Sequence, residues 1–257
     1  MRHALFAGHA GNDGCAIAWG RALGARLADL GGYQGHGSWA TPQGALITWA
    51  LMMEGGVQLN RHGERFHNET QGYSEAAVHV LAQPGAIAWN VFDGQLLTLA
   101  RGFPDFCAAE ALGAVKRCDS LDELASLIGC DATNIIAGNA CCYWAAGQKH
   151  PISPAAPVIT GGAGDRVFKR RLAPPFYAVK VTGALFHTQG GLDIDAHCRV
   201  LRADGSPFVN LLAAGGAARG VSGNAVAGSD ASRRPVGKRV GHFLNSHQFV
   251  SNFFQRG

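Results

Sequence analysis

Two hydrophobic periods alternate along this chain, and the places where one gives way to the other mark its elements. After "AGNDG", Ile17, Leu23 and Leu27 recur among alanines between Cys15 and Leu30, and Asp13 stands where it can accept from the first free amides of a helix. The segment "TPQGALITWALMMEGG" predicts a second apolar helix stopped by Gly55 and Gly56, with a hairpin behind it made of "VQLN", a turn at "RHG", and "ERFHNE". "IAWNVFDG" (87–94) is strand-like and ends in an Asp-Gly turn, after which helical spacing dominates to about residue 147. Ser120 and Glu123 have capping-box separation, Leu121, Leu124, Leu127 and Ile128 form one stripe, and Gly129 can end that helix. A further helix is expected from about Ala132 to Ala146, followed by the Pro/Gly-rich loop "KHPISPAAPVITGGAGDR". Beyond the loop, "FYAVKV" alternates, "RVLRADGSPFV" reads as a hairpin around Asp-Gly, and "NLLAAGG" reads as a short buried strand meeting glycines.

Composition narrows the architecture. A chain of 257 residues can bury a sizeable core in one large or two smaller domains. Its 36 glycines favour an α/β or α+β fold with tight turns over a helical bundle. The formal charge of +4 is modest, and its only clusters are Lys169, Arg170 and Arg171 and the tail group Arg233, Arg234, Lys238 and Arg239, so a solvated basic surface is expected rather than a nucleic-acid partner. The seven cysteines are an odd number without Cys-x-x-Cys or His/Cys ligand spacing, which points to reduced thiols in the cytoplasm and no metal. No apolar leader follows the first residues and no run of about 18 apolar residues occurs, so neither export nor a membrane is expected.

The candidate chemistry gathers in a few stretches. In "GALFHTQGGLDI" (183–194), His187 and Thr188 stand between an apolar run and the pair Gly190 and Gly191, and strand-like alternation resumes at Leu192 and Ile194. That stretch, with "GNDG" and "AIAWGRALGARL", "QGHGS", "LITWA", "EGGVQLNRHGERFHNE" and "LLAAGGAARGVSG", resembles in order the signatures of the fumarate reductase/succinate dehydrogenase flavoprotein family, whose members include urocanate reductases and 3-ketosteroid dehydrogenases. The resemblance runs to about Gly228. It implies an FAD-dependent oxidoreductase working on a small-molecule substrate, in which a flavin domain (1–35 and 188–257) is interrupted by a mixed α+β capping domain (36–187). Family members begin with a βαβ unit carrying Gly-x-Gly-x-x-Gly, which does not precede Asp13 here, so the chain resembles the C-terminal portion of a longer enzyme. A separate chain carrying the N-terminal FAD-binding half is the partner this implies, and a non-catalytic, cap-like fragment is the alternative. From about residue 229 the tail departs from the family, and a frameshifted or diverged ending is expected.

The resemblance also implies roles. Asp13, Gly190, Gly191, Gly215, Gly216, Ser222 and Gly223 would lie beside the flavin, although Asp13 reads equally as a plain helix cap and the glycines as strand-to-loop turns. His36 matches a substrate-contacting histidine, with Gly37 and Ser38 in place of Pro and Thr, and Thr48 matches a threonine that holds a substrate carboxylate. Either could be a satisfied loop or core residue. His187 and Thr188 would face substrate. Where fumarate reductases use Glu and Arg to feed a proton to a catalytic Arg, this chain has Trp49, Met52 and Tyr73, which suggests a less charged substrate. Reduction or oxidation of a C–C bond needs a positioned proton donor or acceptor, and similar flavoproteins acting on ketosteroids use tyrosines so. Tyr73 is the candidate, against its reading as a packing residue at a helix start.

Overall fold

Caps and left-handed glycines set most of the element ends in the computed structural model, which describes residues 4–138, 166 and 172–220. In chain order the elements are β1 (Leu5–Phe6), α1 (Cys15–Ala22), β2 (Leu27–Ala28), β3 (Tyr33–Ala40), β4 (Ala45–Leu46), α2 (Ala50–Met53), β5 (Val57–Leu59), α3 (Tyr73–Leu81) and β6 (Ile87–Asp93). They continue with α4 (Gly94–Ala100), α5 (Pro104–Ala111), β7 (Val115–Cys118), α6 (Leu121–Ile128), α7 (Ala132–Gly138), β8 (Phe176–Thr188), β9 (Gly191–Leu192), β10 (Arg199–Leu201) and β11 (Pro207–Leu212). This is an α+β fold with largely antiparallel sheets. It divides into two compact units, residues 1–7 with 35–185 and residues 8–34 with 186–257.

In the first unit the long strand β8 organises a seven-stranded sheet whose main order is β4-β3-β8-β6-β5, with β1 parallel and β7 antiparallel to β8. β6 pairs with β8 along its whole length, from Ile87 opposite Thr182 to Asp93 opposite Phe176. The core holds Phe92, Phe106, Phe176, Ile47, Leu51, Met52, Leu59 and Leu124, all fully buried. α3 packs directly on backbone: a β-carbon on Gly37 would stand 2.6 Å from Ala76 Cβ, and one on Gly183 would stand 2.6 Å from Ala77 O. The α6 cap forms as its sequence indicates, since Ser120 Oγ accepts from Glu123 N at 3.1 Å and Gly129 closes the helix at φ +84°. Glu123 reaches back one residue further than a capping box does, accepting from Asp119 N at 2.7 Å.

The second unit is smaller. Leu192, Val200, Ala213 and Ala218 are its buried apolar centre, with Leu27, Ile194, Phe208 and Leu211 packed around them. β2 pairs antiparallel with β9, and β10 pairs with β11 around the expected Asp204-Gly205 turn. Gly20 of α1 leaves no room for a β-carbon beside Leu192.

Several elements differ from the expected ones. α1 stops at Ala22 because Gly24 turns at φ +77°, and Leu27–Ala28 then become a strand against Gly191–Leu192. The "second apolar helix" is mostly hairpin: Ala45–Leu46 pair with β3, and only Ala50–Met53 are helical. The real partner of β5 is β6, and "ERFHNE" contributes only the bridge of Arg65 to Leu59. Asp93 caps α4 rather than making a two-residue turn, accepting from Gln95 N and Leu96 N. β7 was not expected within the helical stretch, and β11 is largely exposed, with Val209 and Leu212 turned to solvent. The end of the helix expected to Ala146, the Pro/Gly-rich loop up to Asp165, Lys169–Arg171 and the tail lie outside the described residues.

Candidate functional site

β3 carries His36 into the first unit between two glycines, and its ring is enclosed by aromatic neighbours. It stacks on Tyr73 at a centroid distance of 5.0 Å and 16° between planes, and meets the Trp49 ring edge-on at 5.9 Å and 89°. Its Nδ1 accepts from Ser38 N at 3.1 Å, and burial lowers its pKa to about 3, so the imidazole is neutral. Tyr73 opens α3 and keeps 36% of its surface exposed, so one group faces the interior and its neighbour faces solvent. The glycine at 37 explains how they meet, because a side chain there would push α3 off β3. Thr48 stands half-buried at the entrance to α2, where its Oγ1 accepts from Ala50 N at 3.3 Å.

Beneath this pair lies a buried polar assembly that composition alone did not disclose. Glu69 is fully buried and is gripped by Arg65 through two bonds, to Nε at 2.9 Å and to Nη2 at 2.5 Å, and by Arg166 Nη1 at 2.9 Å. Burial pushes the Glu69 carboxyl up, but the hydrogen bond and charge of Arg65 and the charge of Arg166 outweigh it and bring its pKa to about 2. Arg166 also donates to Gly56 O at 2.8 Å and to Met52 O, tying down carbonyls at the end of α2. Glu69 O accepts from Trp49 Nε1 at 3.2 Å, so the ion triad fixes the indole beside His36. Met52 is fully buried and lines the core instead of a surface.

In the second unit, Asp13 Oδ1 accepts from Cys15 N at 2.9 Å, which holds its exposed carboxyl below the ordinary value. His187 is exposed at the end of β8, and its Nε2 lies 3.0 Å from Gln189 Nε2. The glycines fall into two kinds. A β-carbon on Gly190 would come within 2.5 Å of Leu30 Cα, and one on Gly191 within 2.5 Å of the Ala218 carbonyl carbon, so these two are demanded by the chain's own backbone. Gly14, at φ +80°, and the Gly215–Gly216 turn, with Gly215 at φ +58°, have no atom of the other described residues within 4 Å of where a β-carbon would be. Among the described residues, nothing but the turn itself requires bare backbone at 215–216, and such open peptide edges suit the close approach of a flat ring system. Arg219 braces the region by ion pairs to Asp29 at 2.5 Å and Asp193 at 3.1 Å, and Arg26 joins Asp193 at 2.7 Å.

The structure therefore brings His36, Thr48, Trp49 and Tyr73 into one unit, and places Asp13, His187, Gly190, Gly191, Gly215 and Gly216 in the other. Ser222 and Gly223 lie outside the described residues. Sequence reasoning missed Gln58, Glu69, Ser74, Asn90 and Arg166. The signal for Gln58 and Asn90 was a single polar residue inside a strand otherwise fit for full burial, in "VQL" and "AWNVF". Among the described residues the five cysteines are free, no group of His, Cys, Asp or Glu could hold a metal ion, and no helix is long and apolar enough to cross a membrane.

Comparison with known proteins shows what the chain is similar to. A probable fumarate reductase of Shewanella frigidimarina is 29% identical over 217 residues, covering 82% of this chain and 34% of that protein. Among solved structures, a flavocytochrome c3 fumarate reductase in its open conformation aligns with a TM-score of 0.62 at 26% identity, over 86% of this chain and 37% of the other. The 3-ketosteroid Δ1-dehydrogenase of Sterolibacterium denitrificans, in complex with 1,4-androstadiene-3,17-dione, aligns with a TM-score of 0.58 at 25% identity, over 84% and 43%. The chain spans about a quarter to a third of the length of the curated relatives it matches. The family model described as FAD binding domain matches residues 2–231, and with nearly the whole chain inside that match, the protein belongs to the FAD-binding flavoprotein family that includes the fumarate reductases.

Proposed function

We propose that this chain forms the substrate-binding and flavin-facing part of an FAD-dependent dehydrogenase or reductase acting on a C–C bond next to a carbonyl. The observation that carries the reading is the parallel stack of a neutral His36 on a half-open Tyr73. Bound FAD supplies hydride donation or acceptance. Tyr73 then gives or takes the proton at the neighbouring carbon, and His36 donates a hydrogen bond to the substrate carbonyl without carrying charge. Trp49, held by Glu69 O, excludes water from that side. Thr48 orients the substrate. In the second unit the open Gly215–Gly216 turn is where the flavin ring would rest, with Asp13, Gly190 and Gly191 in the segments that carry it and Ser222 and Gly223 after it.

The two arginines of this region, Arg65 and Arg166, both hold Glu69, and Trp49 and Tyr73 stand where dicarboxylate chemistry would need ions. A neutral ketone or enone fits better than fumarate. The dinucleotide-binding half would come from a further stretch of polypeptide or a separate chain, in the cytoplasm, where free thiols persist. The test is Tyr73→Phe in the flavin-loaded enzyme: turnover falls by about 10²–10⁴ while flavin absorbance is retained. Unchanged turnover removes Tyr73 from the mechanism. The alternative is a non-catalytic, cap-like interaction domain in which Tyr73 only packs on His36.

A further inference from the structure

We propose that Gln58 and Ser74 are positioning residues for His36, holding the peptide carbonyls on either side of it so that its ring keeps one orientation and one tautomer, with the proton on Nε2. Gly35 O accepts from Ser74 Oγ at 3.1 Å, and Gly37 O accepts from Gln58 Nε2 at 2.8 Å. Both donors are fully buried, so neither carbonyl exchanges its partner for bulk water. Ser74 adjoins Tyr73 on α3, and the bond to Gly35 O thus ties the proton-transfer residue and the histidine to one frame.

The atom assignments follow from groups that have no choice. A peptide carbonyl only accepts, so the Gln58 atom facing Gly37 is the NH₂, which also donates to Asn90 Oδ1 at 2.8 Å. Gln58 Oε1 is then the atom 2.7 Å from His67 Nε2, and that nitrogen must donate. Asn90, with its oxygen turned to Gln58, presents its NH₂ to Ser38 Oγ. Ser38 N donates to His36 Nδ1, and a ring nitrogen that accepts carries no proton, which leaves Nε2 as the donor of the neutral ring. A hydrogen-bonded line thus runs from His67 through Gln58 and Asn90 to the backbone around His36. The use of that tautomer toward a substrate carbonyl rests on the function proposed above; the tautomer itself does not.

Long-range proton–nitrogen correlation spectra of the ¹⁵N-labelled whole chain near neutral pH test it, with His36 assigned by the signal lost in His36→Asn. The expected wild-type pattern is a bare Nδ1 and a protonated Nε2. Gln58→Met and Ser74→Ala should each move both His36 nitrogen shifts toward the average of the two tautomers, whereas Ser74→Thr, which keeps the hydroxyl, should stay at the wild-type values. A wild-type His36 that is charged or protonated on Nδ1 overturns the proposal, and this measurement decides alone if a variant does not fold. Folded Gln58→Met and Ser74→Ala chains with unmoved His36 shifts overturn it as well. If the shifts behave as expected while Tyr73→Phe keeps full turnover, the positioning stands and the functional reading falls.

Discussion

His36 and His67 are neutral in the folded chain because burial outweighs everything else acting on them, holding their pKa values to about 3 and about 4. For His67 the charge of Glu69 pulls the other way and those of His79 and Arg65 add to the lowering. Both folded values lie below the ordinary 6.5, so the unfolded chain binds the extra protons and stability falls as pH drops below that value. The loss should reach roughly 3 kcal/mol per histidine by about pH 4.5, since one pH unit is worth about 1.4 kcal/mol while only the unfolded form is charged. Glu69 adds to the decline only below its ordinary 4.5, and its contribution is gone at about 2. Urea midpoints followed from neutral pH downward should show the onset near 6.5; a flat profile to pH 5 would contradict it. Glu69→Gln strands two buried arginines with no anion between them, and a cost of roughly 3–5 kcal/mol is expected in the same unfolding assay. Unlike these energetics, the candidacy of His36 and Tyr73 was legible, because it came from the order of motifs. The triad was not, because one of its arginines comes from about 100 positions along the chain.

Gly37→Ala tests how α3 is seated on the sheet. The added methyl would overlap Ala76 Cβ and the backbone of Ala76 and Ala77, neither of which can rotate away, so a loss of about 1–3 kcal/mol is expected from thermal or urea unfolding. Gly55→Ala is a poorer probe of packing, because that glycine sits at φ +127° with open space around it and would report backbone strain instead. The elements that the sequence disclosed are those closed by nearby chemistry: α6 by Ser120 and Gly129, and the β10–β11 hairpin by Asp204 and Gly205. Those it concealed depend on distant partners. β7 is a strand because Val115–Cys118 find Phe176–Val179, and Leu27–Ala28 leave the helical pattern because Gly191–Leu192 lie alongside. Local propensity cannot report such pairings.

At the scale of the molecule, the chain forms two units, each assembled from separate stretches, and the family match extends over residues 2–231, across stretches of both. If, as proposed, flavin binding needs a dinucleotide-binding unit from further polypeptide, the purified chain is colourless and turns yellow with flavin absorbance on co-expression with such a unit; yellow protein from this chain alone would overturn that. β1 has a consequence of its own. Leu5 and Phe6 find their partners only at Ala184 and Leu185, so during translation this strand must wait until the far end of β8 has been made. In the interval its backbone donors and acceptors have no strand alongside, an open edge that another chain could pair with.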